Sequence, residues 1–238
     1  MTNACVEAKQ SLNSYEEVIR AYGITVERFY DVGIEMCLFA DRGEAMRNWR
    51  ELKARFLRED ETGLPMRMVV HEQALREFYQ ELFQLELVKD PDGNQAPNTA
   101  LCKLLGIKKP ANYTCVHIFG GTNNPLLFNA LFNVCYIPAI YAPLTTDNRH
   151  KMTKLHAGFR ARFMRKVQEL YGDIIKEYNA FLEEQRIMER IESERINPKL
   201  YPKRFIANIK EQWLPLECRA PEPLPQRTLR TEWQNVAR

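Results

Sequence analysis

With 238 residues, 45% of them apolar and 27% charged, the chain has an ordinary globular composition and enough length to bury a core without disulfides or structural metals. That composition excludes a wholly disordered chain, and no run approaches the ~20 apolar residues of a membrane-spanning helix. The net charge of +3 is close to neutral, so charge bears on function only through its distribution.

The first residues, MTNACVEAKQSLNSYEE, lack the basic start and apolar block of a secretory signal, so a cytoplasmic location is expected. Ser14 followed by Glu17 matches a capping box and opens a short helix to about Tyr22. Gly23 makes a turn, and Thr25 can cap a second helix through about Ala40. Their spacing is also that of a helix-turn-helix burying Val18, Tyr22, Ile24, Phe29 and Val32. However, Glu27, Arg28 and Asp31 would make an acidic reading helix, so an ordinary helical hairpin is preferred. A third helix is expected from Glu44 to Arg58. Asp41 with Glu51 and Lys53 has the spacing of a nuclease signature, but that signature needs a strand where NWRELKARFLRE reads as helix. Val69 to Leu87 is amphipathic again, DPDGNQAPN at 90–98 reads as a surface loop, and a brief helix follows from Thr99 to Leu105.

Beyond Pro110 the texture changes. NYTCVHIFGG is β-branched and aromatic and ends in paired glycines, which predicts a strand entering a tight turn. LLFNALFNV suggests a short helix, placing Asn129 and Asn133 on one face, and the two prolines of CYIPAIYAPL forbid a regular helix there. Helical periodicity returns from about Arg149 to Ile196, with interruptions expected at Gly158 or Gly172. After Pro215 the proline-rich tail is expected to lie extended, with Trp233 as an anchor on the body or on a partner protein. The six cysteines are scattered without a C-x-x-C pair and read as small buried hydrophobes rather than a zinc site.

The run from His117 through Gly120-Gly121 to Asn133 and Pro138 resembles the HNH, or ββα-metal, nuclease motif. The likeness covers about 40 residues: a His after an apolar strand, a glycine turn, and an Asn heading an apolar, proline-ended run. It implies a metal-dependent endonuclease that hydrolyses DNA. His117 would be the general base, as the side chain whose ordinary pKa lies nearest that task, and Asn133 the amide that holds the imidazole or a loop in register. A divalent cation, Mg²⁺ or alternatively Mn²⁺, would offset charge on the phosphate. The family's residue before the base is here Val116, and its third position falls at Ala142, so the metal candidates move to Asp147 and His150, with Asn148 between them.

From Arg149 to Lys166 there are seven basic residues and no acid, which suits a polyanion. Lys151, Lys154, Arg160, Arg162 and Arg165 would track a duplex leading to the site, though a helix spreads them around its surface. The expected fold is mainly α, with helices flanking a small ββα-like centre. The regions are 1–98 (helical), 99–196 (the HNH-like centre with its long basic-then-acidic helix) and 197–238 (the extension and tail). The alternatives to an endonuclease, which would most naturally be a homodimer, are a catalytically degenerate nucleic-acid-binding or assembly protein and a helical protein-interaction scaffold.

Overall fold

The structure is a computed structural model that describes residues 14–57, 63–67, 72–91, 93–145, 153–193 and 201–218. It is mainly α, as the periodicity requires. Helices α1 (Ser14–Ala21) and α2 (Val26–Glu35) are joined at Gly23, and Thr25 caps α2 through its side chain, which accepts from Arg28 N at 3.1 Å. The second helix stops at Glu35 rather than near Ala40, because Leu38–Phe39 are drawn into a strand, β1, that pairs with a later segment. The hairpin buries Ile19, Phe29, Tyr30 and Gly33, while Val18, Tyr22 and Ile24 are exposed, unlike the core expected of a helix-turn-helix.

Helix α3 (Arg42–Phe56) is capped by Asp41, whose carboxylate accepts from Gly43 N and Glu44 N, and it buries Trp49, Leu52 and Phe56. Asp41 is thus a helix cap, and Glu51 and Lys53 are helical, as the residue pattern implied. Strand β2 (Leu64–Met66), helix α4 (Glu72–Phe83) and strand β3 (Leu87–Lys89) follow, with β2 and β3 pairing in parallel. The expected loop at 90–98 is shorter than read. Helix α5 (Gln95–Leu105) starts inside it, with Pro97 in the first turn where no N–H partner is needed. The buried Asp90 carboxylate receives the N–H groups of Gln95 and Ala96.

Strand β4 (Tyr113–His117) leads through Gly120 and Gly121, both at positive φ, to the one-turn helix α6 (Pro125–Asn129) and a 3-10 turn at Leu131–Asn133. CYIPAIYAPL is neither helix nor loop in its first half. Val134–Pro138 forms β5, the middle strand of an antiparallel sheet ordered β1-β5-β4 and buried throughout. Both faces are covered, so the strand is a continuous apolar run without alternation.

The last long element is α7 (Lys154–Glu184), 31 residues and about 46 Å in length. Neither glycine interrupts it: Gly158 lets Tyr30 pack against the helix, and Gly172 lies beneath the Gln168 side chain. The break falls instead at Arg186, in the left-handed region, before α8 (Ile187–Glu192). Helix α9 (Lys203–Gln212) brings Trp213 into contact with Phe56, Tyr79 and Phe83, so residues near both ends of the sequence share one core. Among the described residues no helix is long and apolar enough to cross a membrane. The proline-rich tail with Trp233 lies outside the described residues.

Candidate functional site

His117 ends β4 opposite Val134, and the ladder runs one step further, Ile118 N donating to Asn133 O at 2.7 Å. The chain then doubles back over α6. Asn124 caps α6, its Oδ1 accepting from Leu126 N at 3.0 Å and Leu127 N at 3.2 Å, while its Nδ2 donates to Tyr178 Oη at 2.9 Å and Gln212 O at 3.0 Å. One buried amide therefore ties the loop to α7 and to the end of α9. At Gly121 a Cβ would stand 2.6 Å from the Leu127 side chain, so the turn can close on α6 only as glycine.

Asn133 is fully buried and saturated. Its Oδ1 accepts from Phe119 N at 2.8 Å, and its Nδ2 donates to Gly120 O at 2.9 Å and Leu127 O at 2.8 Å. It holds the loop after His117 in register. Asn129 does not share a face with it, because Ala130 is extended between them; Asn129 instead donates to Pro65 O and docks β2.

The His117 ring stacks on Phe128 at 5.4 Å between centroids, and its Nε2 lies 3.2 Å from the Phe128 carbonyl oxygen. A carbonyl can only accept, so Nε2 carries the proton and Nδ1 keeps the lone pair. The residue is partly buried, and the one hydrogen bond its ring makes is at Nε2. Burial lowers the pKa of His117; the Phe128 carbonyl opposes this, and the positive charge of Arg67 lowers it further. Burial thus favours the neutral ring, with Nδ1 as its basic nitrogen.

The described surroundings do not fit a divalent cation. The residue before His117 is the apolar Val116, both donors and the acceptor of Asn133 are taken, and Ala142 sits in a 3-10 turn beyond the other end of β5. Among the described residues there is no group of three or more His, Cys, Asp or Glu side chains that could hold a metal. Asp147, Asn148, His150 and Lys151 lie outside the described residues.

The basic run does not lead to His117. Arg160 donates to the carbonyl of Thr145, while the His117 end of the hairpin meets α7 at Tyr178, about 27 Å further along the helix at 1.5 Å per residue. Arg162 pairs with Asp31 and lies over the Tyr30 ring at 5.3 Å. Lys154 stands in the first turn of α7, and Arg165 is exposed beside a shallow groove that it shares with Asp31, Glu35, Lys166 and Glu169. The groove carries both signs of charge, unlike the continuous positive stripe that a duplex backbone needs.

Sequence reasoning did not single out Phe128 or Arg67, and it noted Asn124 only as one of a cluster of asparagines with Asn123, Asn129 and Asn133. Asn-Pro at 124–125 is a helix-start signal and could have shown the cap. Nothing local marks Phe128 or Arg67, whose relation to His117 is tertiary.

The family of the uncharacterised protein PM1201 matches residues 40–212, a span that holds the hairpin, the His117 loop and all of α7. The uncharacterised protein PM1201 of Pasteurella multocida (strain Pm70) is 30% identical over 190 residues, 77% of this chain and 85% of that protein. No solved structure matches. The chain belongs to the PM1201 family.

Proposed function

We propose that this protein binds nucleic acid through an HNH-like hairpin that has kept its framework and lost its cation-dependent chemistry. The observation that carries this reading is the division of labour in the loop. Asn133 spends its amide on holding residues 119–127, which leaves His117 partly buried at the end of a held turn, its Nε2 on the Phe128 carbonyl. The neighbouring ligand positions are Val116 and Ala142, which offer nothing to a metal. The reading includes a reducing, cytoplasmic location, consistent with the free thiols of Cys37, Cys102, Cys115, Cys135 and Cys218.

The test is retardation of duplex DNA, single-stranded DNA and RNA by the purified protein at low salt, repeated as salt is raised. Binding that weakens steeply with salt is the expected result; no retardation of any of the three at low salt refutes it and leaves a protein-interaction scaffold. A second reading, hydrolysis of DNA phosphodiester bonds with His117 as general base, draws on one observation: the ring tautomer leaves Nδ1 as a base. Plasmid nicking with Mg²⁺ or Mn²⁺ that disappears in His117→Ala would replace the binding reading with this one.

A further inference from the structure

Strand β4 is an outer strand of its sheet, so one of its edges has no neighbouring strand among the described residues. Ala139 N donates to Asn112 O and Ile118 N to Asn133 O, so along β4 the even-numbered residues turn their backbone groups toward β5. The N–H and C=O groups of Tyr113 and Cys115, with the N–H of His117, therefore point the other way. Among the described residues nothing bonds to these five groups; on this edge only the His117 carbonyl is taken, by Gly120 N. The strand also meets solvent. Every residue of β5 is buried, whereas β4 is partly exposed along its length and exposed at Thr114.

The charge beside this edge has one sign. Lys108 and Lys109 lead into β4. Lys103 lies on α5, which packs on the same sheet, Cys102 Sγ lying 3.0 Å from the hydroxyl of Tyr136, the residue opposite Cys115. All three lysines are exposed, and none pairs with a carboxylate among the described residues. From Gly93 to Thr146 the sequence holds no Asp or Glu at all. Lysines beside an open edge discourage pairing with a second copy of the same strand and favour an acidic one.

We propose that the free edge of β4 takes up an extended, acidic segment of a partner protein as an added strand. Backbone bonds at Tyr113, Cys115 and His117 hold the segment, and its carboxylates meet Lys108 and Lys109. A nucleic acid fits less well. Its phosphates could accept from the N–H groups but would also face the carbonyl oxygens of Tyr113 and Cys115, which need donors. The proposal stands independently of the nucleic-acid reading above.

The experiment reads amide hydrogen exchange by NMR, with a terminally blocked peptide of alternating valine and glutamate as the probe. In the free protein the Tyr113, Cys115 and His117 amides should exchange freely, while those of Thr114 and Val116, which face β5, exchange slowly. Excess probe should slow the first three by about tenfold or more. The same peptide with lysine in place of glutamate should leave them unchanged, and Lys108→Glu with Lys109→Glu should abolish the effect of the acidic probe. No slowing by the acidic probe, or equal slowing by both peptides, overturns the proposal. So does protection that rises with protein concentration alone, which assigns the edge to a second copy. Protection by a DNA duplex and not by the peptide assigns it to nucleic acid and overturns the proposal too.

Discussion

The carbonyl of Phe128 lies 3.2 Å from His117 Nε2 while the Phe128 ring stacks on the imidazole, so one residue both orients the histidine and sets its tautomer. The pair also makes folding sensitive to pH. His117 is held below its ordinary pKa, chiefly by burial, so the unfolded chain binds this proton more readily than the folded protein. The stability it contributes is fully present above about pH 6.5 and is lost as pH falls from there toward the lower folded pKa. His117→Gln keeps a donor for the Phe128 carbonyl but cannot titrate. Urea midpoints should therefore drop more between about pH 7.5 and pH 5 in the native protein than in the variant. Equal drops would show that the ring is not shielded.

Asn133 is fully buried, and Asn133→Ala leaves Phe119 N–H and Gly120 C=O without this partner and removes one of the two donors to Leu127 C=O, the other being Ala130 N. At about 1–3 kcal/mol for each unsatisfied buried group, with some relief from relaxation, the loss should be roughly 2–5 kcal/mol in equilibrium denaturation. A loss under about 1 kcal/mol would mean that the loop is held by other interactions.

Gly33 faces Tyr141 and Phe159, and a Cβ there would come within 2.7 Å of both rings. Alanine improves helix propensity by up to about 1 kcal/mol, but pushing two buried aromatic rings apart costs about 1–3 kcal/mol. Gly33→Ala should therefore destabilise the protein, seen as a lower thermal midpoint, whereas a gain would require α2 to sit further from α7.

The basic residues of α7 should matter little to nucleic-acid binding by the hairpin. Arg162 already pairs with Asp31 and covers Tyr30, and Arg165 is exposed but stands in a groove of mixed charge. An arginine that neutralises one phosphate adds about one unit to the log–log slope of affinity against salt. Arg162→Ala and Arg165→Ala should therefore both leave that slope within about half a unit of the native one. A slope lower by about one unit in Arg165→Ala would place the nucleic acid on this face of α7.

Much of the secondary structure was legible because it is written locally. The cap at Thr25, the turn at Gly23, the helical character of 44–56 and the strand before Gly120-Gly121 all follow from residue type and spacing. Boundaries failed where a distant partner intervened. α2 ends early because Leu38 and Phe39 pair with Tyr136 and Cys135, and the run at 134–138 is a strand because sheet and helices cover both of its faces. Gly158 and Gly172 lie inside a continuous helix because side-chain packing, absent from a local pattern, outweighs the cost of one glycine.

The candidate site divides in the same way. The sequence by itself determined the strand and glycine turn, with His117 at the end of the strand. Only the tertiary structure decided what each does: Asn133 is consumed by the loop, and the described part of the basic run lies along the far part of α7. The reason is range. Hydrogen bonds to near neighbours select turns and caps from adjacent residues, whereas burial and charge at a side chain come from segments tens of residues away.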